Sequence, residues 1–421
     1  MFVGGIRFLL VVVLSTFLSN ACAEGVAGPN PGDVFREHVW RPEGKWQRVT
    51  GPETTEPRAR EFLPNSVNRI EIEDLDGAVR AEIQVEMLLC HAGTIDKCVR
   101  VNSSEWIEIP ESPHIPGDLG TGSPDTEYQS MRYPIASIPL DELREGENTF
   151  EFTCSGGTGL GSWWPQWILY GTTIRIYYDE TKPHPVGRIV HPTLGDAIGE
   201  NARFEADVEE WEETIARVDF LGVYNDFNWE GDGLSPRRHG RTLYGELQNH
   251  IGTASETPYR IAWKNEWTPD QGGSIRVAAK IVDATGLCFM TDEITDLRLE
   301  RGYSVKMYVP SEIPRAWSTR ADQTDRCKIK IDDDPSSAES ARVTLSTWNG
   351  VAAEAIGFNG VSVVDNVGRN HDLSYDSFDV PLSLLREGDN SFYTYSGTEH
   401  HGIEVQWPGP VLFIRFPKVD E

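Results

Sequence analysis

Ile138-Pro139-Leu140-Asp141-Glu142-Leu143-Arg144-Glu145-Gly146-Glu147-Asn148-Thr149-Phe150 aligns without a gap on Val380-Pro381-Leu382-Ser383-Leu384-Leu385-Arg386-Glu387-Gly388-Asp389-Asn390-Ser391-Phe392. The match continues downstream: Ser155-Gly156 answers Ser396-Gly397 and Trp164-Pro165 answers Trp407-Pro408, each ahead of an apolar stretch. Upstream, Asn102 and Asn359 both sit in a short polar turn after an apolar run. A repeat of this kind marks two related modules flanking something else. In each copy the leucine, Leu143 or Leu385, is expected to anchor a strand end in the core. Gly146 and Gly388 supply positive φ, and Asn148 and Asn390 bond the local backbone where the next strand starts.

Helical periodicity is nearly absent. Alternating stretches at 80–88, 149–153, 173–178, 274–281, 340–345 and 411–416 read as strands half buried on one face, separated by turns rich in Gly, Pro, Asn and Asp. Segment 201–217 carries an acidic run, but Phe204, Ala206 and Val208 alternate, which favours a strand over a helix. The pattern predicts an all-β chain of sandwich domains.

The Leu-x-x-Gly-x-Asn turn resembles that of galactose-binding-like jelly-roll domains, including the sugar-binding domains attached to many glycoside hydrolases. The resemblance covers residues 34–178 and 322–418. Between them, after Lys182-Pro183-His184-Pro185, the run Pro258-Tyr259-Arg260-Ile261-Ala262-Trp263, Pro269-Asp270, residues 275–282 and Asp283-Ala284-Thr285-Gly286 resembles the last two strands of a bacterial immunoglobulin-like domain. The resemblances imply three β-sandwich domains: jelly-roll-like modules at 34–178 and 322–418, and an immunoglobulin-like spacer at 186–310. Such modules bind sugars, lipids or proteins, or act as spacers, so the likeness is informative on fold and weak on function.

Residues 1–23 read as a secretory signal peptide, with Arg7, an apolar run at 8–18 and an Ala21-x-Ala23 cleavage pattern. No later apolar run is long enough to span a bilayer. Cys22 stands where a lipoprotein carries its acylated cysteine, but Ser19 and Asn20 fit that pattern poorly. A net charge of −28 argues against a nucleic-acid partner, since phosphate backbones are bound by Lys and Arg. Of the cysteines, Cys90 and Cys98 flank a short polar segment that suggests a disulfide in an oxidising compartment, while Cys154, Cys288 and Cys327 read as buried thiols.

The G-x-S-x-G, H-E-x-x-H and G-x-x-x-x-G-K-[ST] signatures do not occur. Glycosidases and lyases have no such short signature, and the many acids here single out no catalytic pair. Asp226, Asn228, Glu230 and Asp232 place oxygen donors at alternate positions like the start of a calcium loop, yet Arg237 stands where that loop needs a bidentate Glu. A calcium site and a plain acidic loop are both open.

Aromatic residues near strand ends are the better clue, because flat rings stack on sugar faces while Asn, Asp, Glu and His bond the hydroxyls. Trp164 and Trp407, shared between the copies, read as core pillars; Trp163 and His401, which differ, read as contacts. The candidate ligand-binding residues are Trp163, Tyr170, Tyr395, His400 and His401, with the loops 156–163 and 397–402 framing a patch. The expected function is a secreted, non-catalytic protein that binds a polysaccharide or glycoconjugate, or adheres to a surface. The alternatives are a lyase or glycoside hydrolase with a cleft between modules, and a structural cell-surface protein.

Overall fold

A computed structural model describes residues 28–418 except 90, 92, 111–128, 157–163, 228–236 and 315. The regular elements described are β-strands joined by short 3-10 turns, so the fold is all-β. In the N-terminal part, a 4-stranded sheet runs in the order Val67–Ile72, Gly146–Gly156, Thr94–Val101, Ile107–Glu108. It faces a second sheet in which Gln166–Tyr178 lies between Val34–Trp40 and Ala78–Leu89, with Ile135–Ile138 beyond.

The C-terminal part repeats this order. Gln323–Ile331, Gly388–Ser396, Ala355–Phe358 and Val361–Val364 lie side by side. Opposite them, Val411–Pro417 lies between Tyr303–Tyr308 and Ser340–Trp348, with Leu373–Asp379 beyond. Leu143 and Leu385 are buried in the two corresponding cores, as the repeat requires. Tyr303–Tyr308 pairs with Val411–Pro417, so the last sandwich starts before residue 310, earlier than the repeat shows. The repeated residues begin at Asn102 and Asn359 and carry no sign of the opening strand.

The repeated turn explains itself at atomic level. Gly146 and Gly388 have φ of +91° and +84°, conformations cheap only for glycine. Asn148 Nδ2 donates to the carbonyls of Arg144 and Gly146 at 2.6 and 3.0 Å, and Asn390 Nδ2 does the same to Arg386 and Gly388 at 2.7 and 3.0 Å. Asn102 and Asn359 donate to the Oδ1 of Asn148 and Asn390 at 2.7 and 2.9 Å, tying the neighbouring strand to the turn.

In the middle part, Gly187–His191, Ala202–Val208 and Tyr259–Trp263 form a 3-stranded sheet facing Ile215–Tyr224 and Ile275–Asp283. Ala202–Val208 is a strand, as its alternation predicts. Trp263 is buried in this core, and Asp283 Oδ1 accepts from the backbone amides of Thr285 and Leu287 to close the tight turn.

The three cores do not stand apart. Residues 34–36 pair with 287–289 as well as with 176–178, which fuses the first and middle sheets into one of 13 strands. Phe35 and Tyr177 pack on Leu221, Val282 and Met290 across that join. Ile168 and Tyr170 pack against Trp348 and Leu373 of the last sandwich. Phe227 of the middle part packs with Val411 and Phe413. This corrects the expectation of one-sided strands: Gln166–Tyr178 is buried along its whole length, because one face meets its own core and the other meets a neighbour.

Cys98 carries a free thiol, so the expected bridge is not formed; Cys90 lies outside the described residues. The connection from Ala78–Leu89 to Thr94–Val101 crosses between facing sheets, and the segment taken as a turn is already strand from Thr94. Cys154, Cys288 and Cys327 are buried free thiols as expected, and burial raises Cys154 and Cys288 to about 12.

Candidate functional site

The N-terminal and C-terminal sandwiches meet along a seam, and at one end of it side chains gather that sequence spacing alone does not bring together. Val49 and Thr50 on Gln47–Thr50 are buried, while Arg48 just before them is half-buried and reaches the rim. Its guanidinium lies 4.6 Å from the ring centre of Phe62 and 5.2 Å from that of Trp164. Phe62 and Trp164 stack with centroids 5.7 Å apart, and Phe62 stays 43 % exposed.

A directed hydrogen-bond chain holds this group. Arg48 donates to Gln166 Oε1, which orients the amide so that its nitrogen donates to His91 Nε2 at 2.7 Å. The His91 proton therefore sits on Nδ1, which donates to the Trp164 carbonyl at 2.7 Å. Burial, opposed by the Trp164 carbonyl and aided by Arg48, lowers the His91 pKa, so the ring is neutral at pH 7.

Across the seam, Trp46 Nε1 donates to the His371 carbonyl at 3.1 Å. His371 makes edge contacts with Trp348 and with His401, whose centroid is 4.8 Å away. Partial desolvation first, and then the charges of His371, His400, Arg320 and Arg48, lower the His401 pKa. Glu404 projects from the face of its strand opposite the buried Ile403 and Val405, the face that also carries Trp348. Burial, partly offset by Arg320 and a bond from Gln129, raises Glu404 to about 7.

Further along the seam, Asp372 is 1 % exposed and accepts from the hydroxyls of Tyr170 and Tyr244 at 3.2 and 2.5 Å. Lys45 and Arg369 approach its other oxygen at 3.4 and 3.8 Å. These residues, with Arg41, border a cavity of about 740 Å³.

The sequence-chosen residues scatter over this geometry. His401 lies on the seam and is exposed; His400 beside it is exposed as well. Tyr395 points to the outer face of the other sheet, where its hydroxyl donates to Asp322 at 3.0 Å. Tyr170 is 0 % exposed and serves the seam itself, accepting from the Leu373 amide at 3.0 Å, so it offers no open face. Trp164 and Trp407 are half-buried and belong to none of the cores, which corrects their assignment as core pillars. Trp163, Asn228, Glu230 and Asp232 lie outside the described residues. Of the proposed cation ligands Asp226 alone is described; burial raises it to about 7. Among the described residues no group of three or more His, Cys, Asp or Glu is placed to hold a metal.

The fold thus defines an all-β protein of packed sandwiches with an aromatic, histidine- and arginine-bearing seam. No protein-family model matches the chain, and no curated protein matches it. Among solved structures, the fibronectin(III)-like modules of Clostridium thermocellum CbhA match at TM-score 0.19 and 18% identity, over 28% of this chain and 98% of theirs. A β-porphyranase of glycoside hydrolase family 86 from Bacteroides plebeius matches at TM-score 0.22 and 13% identity, over 68% of this chain and 46% of that one. Carbohydrate-binding modules of the β-sandwich superfamily match at TM-score 0.16 and 13% identity, over 55% of this chain and 95% of theirs. The chain spans less than half of the porphyranase, and likenesses at these TM-scores carry no argument about ligand or activity. No helix among the described residues is long and apolar enough to cross a membrane.

Proposed function

We propose that the protein is a secreted, non-catalytic glycan-binding protein built from two galactose-binding-like sandwiches around an immunoglobulin-like one, and that the glycan lies on the seam beside Phe62, Trp164 and His401. The observation that carries this reading is the stacked Phe62–Trp164 pair, held by Arg48 and open to solvent. Rings fixed in place lose little freedom on binding, which favours stacking on a sugar face. The loop 397–402, with His400 and His401, is assigned to the same patch.

Phe62→Ala removes an exposed stacking ring worth about 1 kcal/mol, by analogy with aromatic pairs. The expected result on a glycan array followed by titration is about a fivefold loss of affinity at an unchanged melting temperature. Full affinity in Phe62→Ala and Trp164→Ala together, with both proteins folded, ends the reading.

One observation favours an enzyme instead: Glu404, raised to about 7, is half protonated at neutral pH, the state a general acid needs. A reducing-end and unsaturated-product assay on wild type and Glu404→Gln separates the two. Product formed by the wild type and lost in the variant makes the protein a glycosidase or lyase.

A further inference from the structure

We propose that the cavity bordered by Arg41, Lys45 and Arg369 receives the anionic group of an acidic polysaccharide, a sulfate ester or a uronate carboxylate. This rests on the glycan-binding reading and names its ligand class. The chain as a whole carries 66 acidic against 38 basic residues, so its average surface repels such polymers. The cavity reverses that balance: three cations face two carboxylates, Glu43 and Asp372.

Asp372 is occupied from within. Both tyrosine hydroxyls bond one oxygen, and Lys45 and Arg369 share the other. It therefore works as a buried floor that aims two cations at one space. Their side chains are 61 % and 55 % exposed, so the charged heads remain available to solvent. Arg41 is held over the same space by a bond from Nη1 to the Tyr244 carbonyl at 3.1 Å. A planar guanidinium fork and an ammonium together suit a sulfate or carboxylate oxygen set. The volume, about 740 Å³, lies in the ordinary range for small-molecule pockets.

The cavity is continuous in chain with the aromatic strip. Lys45 precedes Trp46 and lies three residues before Arg48, while Arg369 and Asp372 bracket His371. Three residues of chain span at most about 10 Å, within the reach of one oligosaccharide that contacts both the Phe62–Trp164 stack and the cavity.

The test uses the intact mature protein in affinity electrophoresis and calorimetric titration against a sulfated galactan, a polyuronate and a neutral galactan. At least one charged polymer is expected to bind about tenfold or more tightly than the neutral one, with affinity falling as salt rises. Lys45→Glu and Arg369→Gln should each weaken that binding about tenfold in protein that a cooperative melt shows to be folded, while Lys330→Ala on the opposite sheet leaves it unaltered. Which charged polymer is retained distinguishes sulfate from carboxylate. Equal retention of neutral and charged polymers, or full affinity in folded Lys45→Glu, overturns the inference while leaving glycan binding in place. Retention of no polymer of any kind removes the glycan-binding reading as well.

Discussion

At the scale of single residues, Asn390 shows how one side chain holds a turn. Its Oδ1 accepts from the Arg386 amide at 3.1 Å and from Asn359, while its Nδ2 feeds two carbonyls; the residue is 1 % exposed. Asn148 repeats the arrangement, with the Arg144 amide at 3.0 Å. Alanine at either position strands several buried donors and acceptors, each costing about 1 to 3 kcal/mol. Asn148→Ala and Asn390→Ala are each expected to lose about 3 kcal/mol in urea unfolding, and a midpoint equal to wild type in either would refute the shared role.

Glu404 carries the opposite sign. Its folded pKa, about 7, stands above its ordinary 4.5, so the folded state holds the proton more tightly than the unfolded one. The resulting stability is present below about pH 4.5 and is lost as pH rises through 7. Glu404→Gln, neutral at every pH, should therefore be more stable than wild type at pH 8, by roughly 3 kcal/mol, and level with it only below about pH 4.5. A variant that is less stable than wild type at pH 8 shows that the ionised carboxylate is favoured where it sits.

At the scale of strands, alternation was enough to place Ala78–Leu89, Gly146–Gly156, Ser340–Trp348 and Val411–Pro417, and the repeat tied the first and last sandwiches together through Leu143, Leu385 and the paired asparagines. Periodicity reports which residues turn inward within one module. It is blind to what covers the outward face, and this is why Tyr170 looked like a contact when it is packed under Asp372 and Leu373, some 200 positions away. The same blindness hid Phe62, Arg48 and His371: none belongs to the repeat, and the 325 positions between Trp46 and His371 leave no local signal of their contact. His401, which the sequence singles out because its loop differs between the copies, lies beside His371 on the seam. A shared tryptophan suggests a core pillar, yet Trp164 and Trp407 are both half-buried and outside the two cores.

At the scale of the whole molecule, the join between the first and middle sheets is reinforced by buried charge. Glu37 accepts from Arg175 at 2.9 Å and from Lys280 at 2.8 Å; Arg175 also donates to Glu82 at 3.0 Å, and Lys280 lies 3.5 Å from Asp219. Glu37, Glu82 and Arg175 belong to the first sandwich, Lys280 and Asp219 to the middle one. Burial resists ionisation of Glu37, but Lys280 and Arg175 outweigh it and hold the carboxyl well below the usual range. Removing one member of such a group leaves the others buried without full compensation, at about 3 to 5 kcal/mol. With a shared sheet and this network between them, the first and middle parts should unfold together, as one endotherm in scanning calorimetry at pH 7. Glu37→Gln should lower that melt or split it in two. A depressed carboxylate contributes above its unfolded pKa, about 4.5, and loses that contribution as pH falls towards its folded value. The gap between wild type and Glu37→Gln should therefore be full at pH 7 and shrink progressively below about pH 4.5. Separate melting of the first and middle parts in the wild type at pH 7, or a Glu37→Gln protein that melts as wild type does, would show that these two sandwiches are independent and that the network adds nothing to their union.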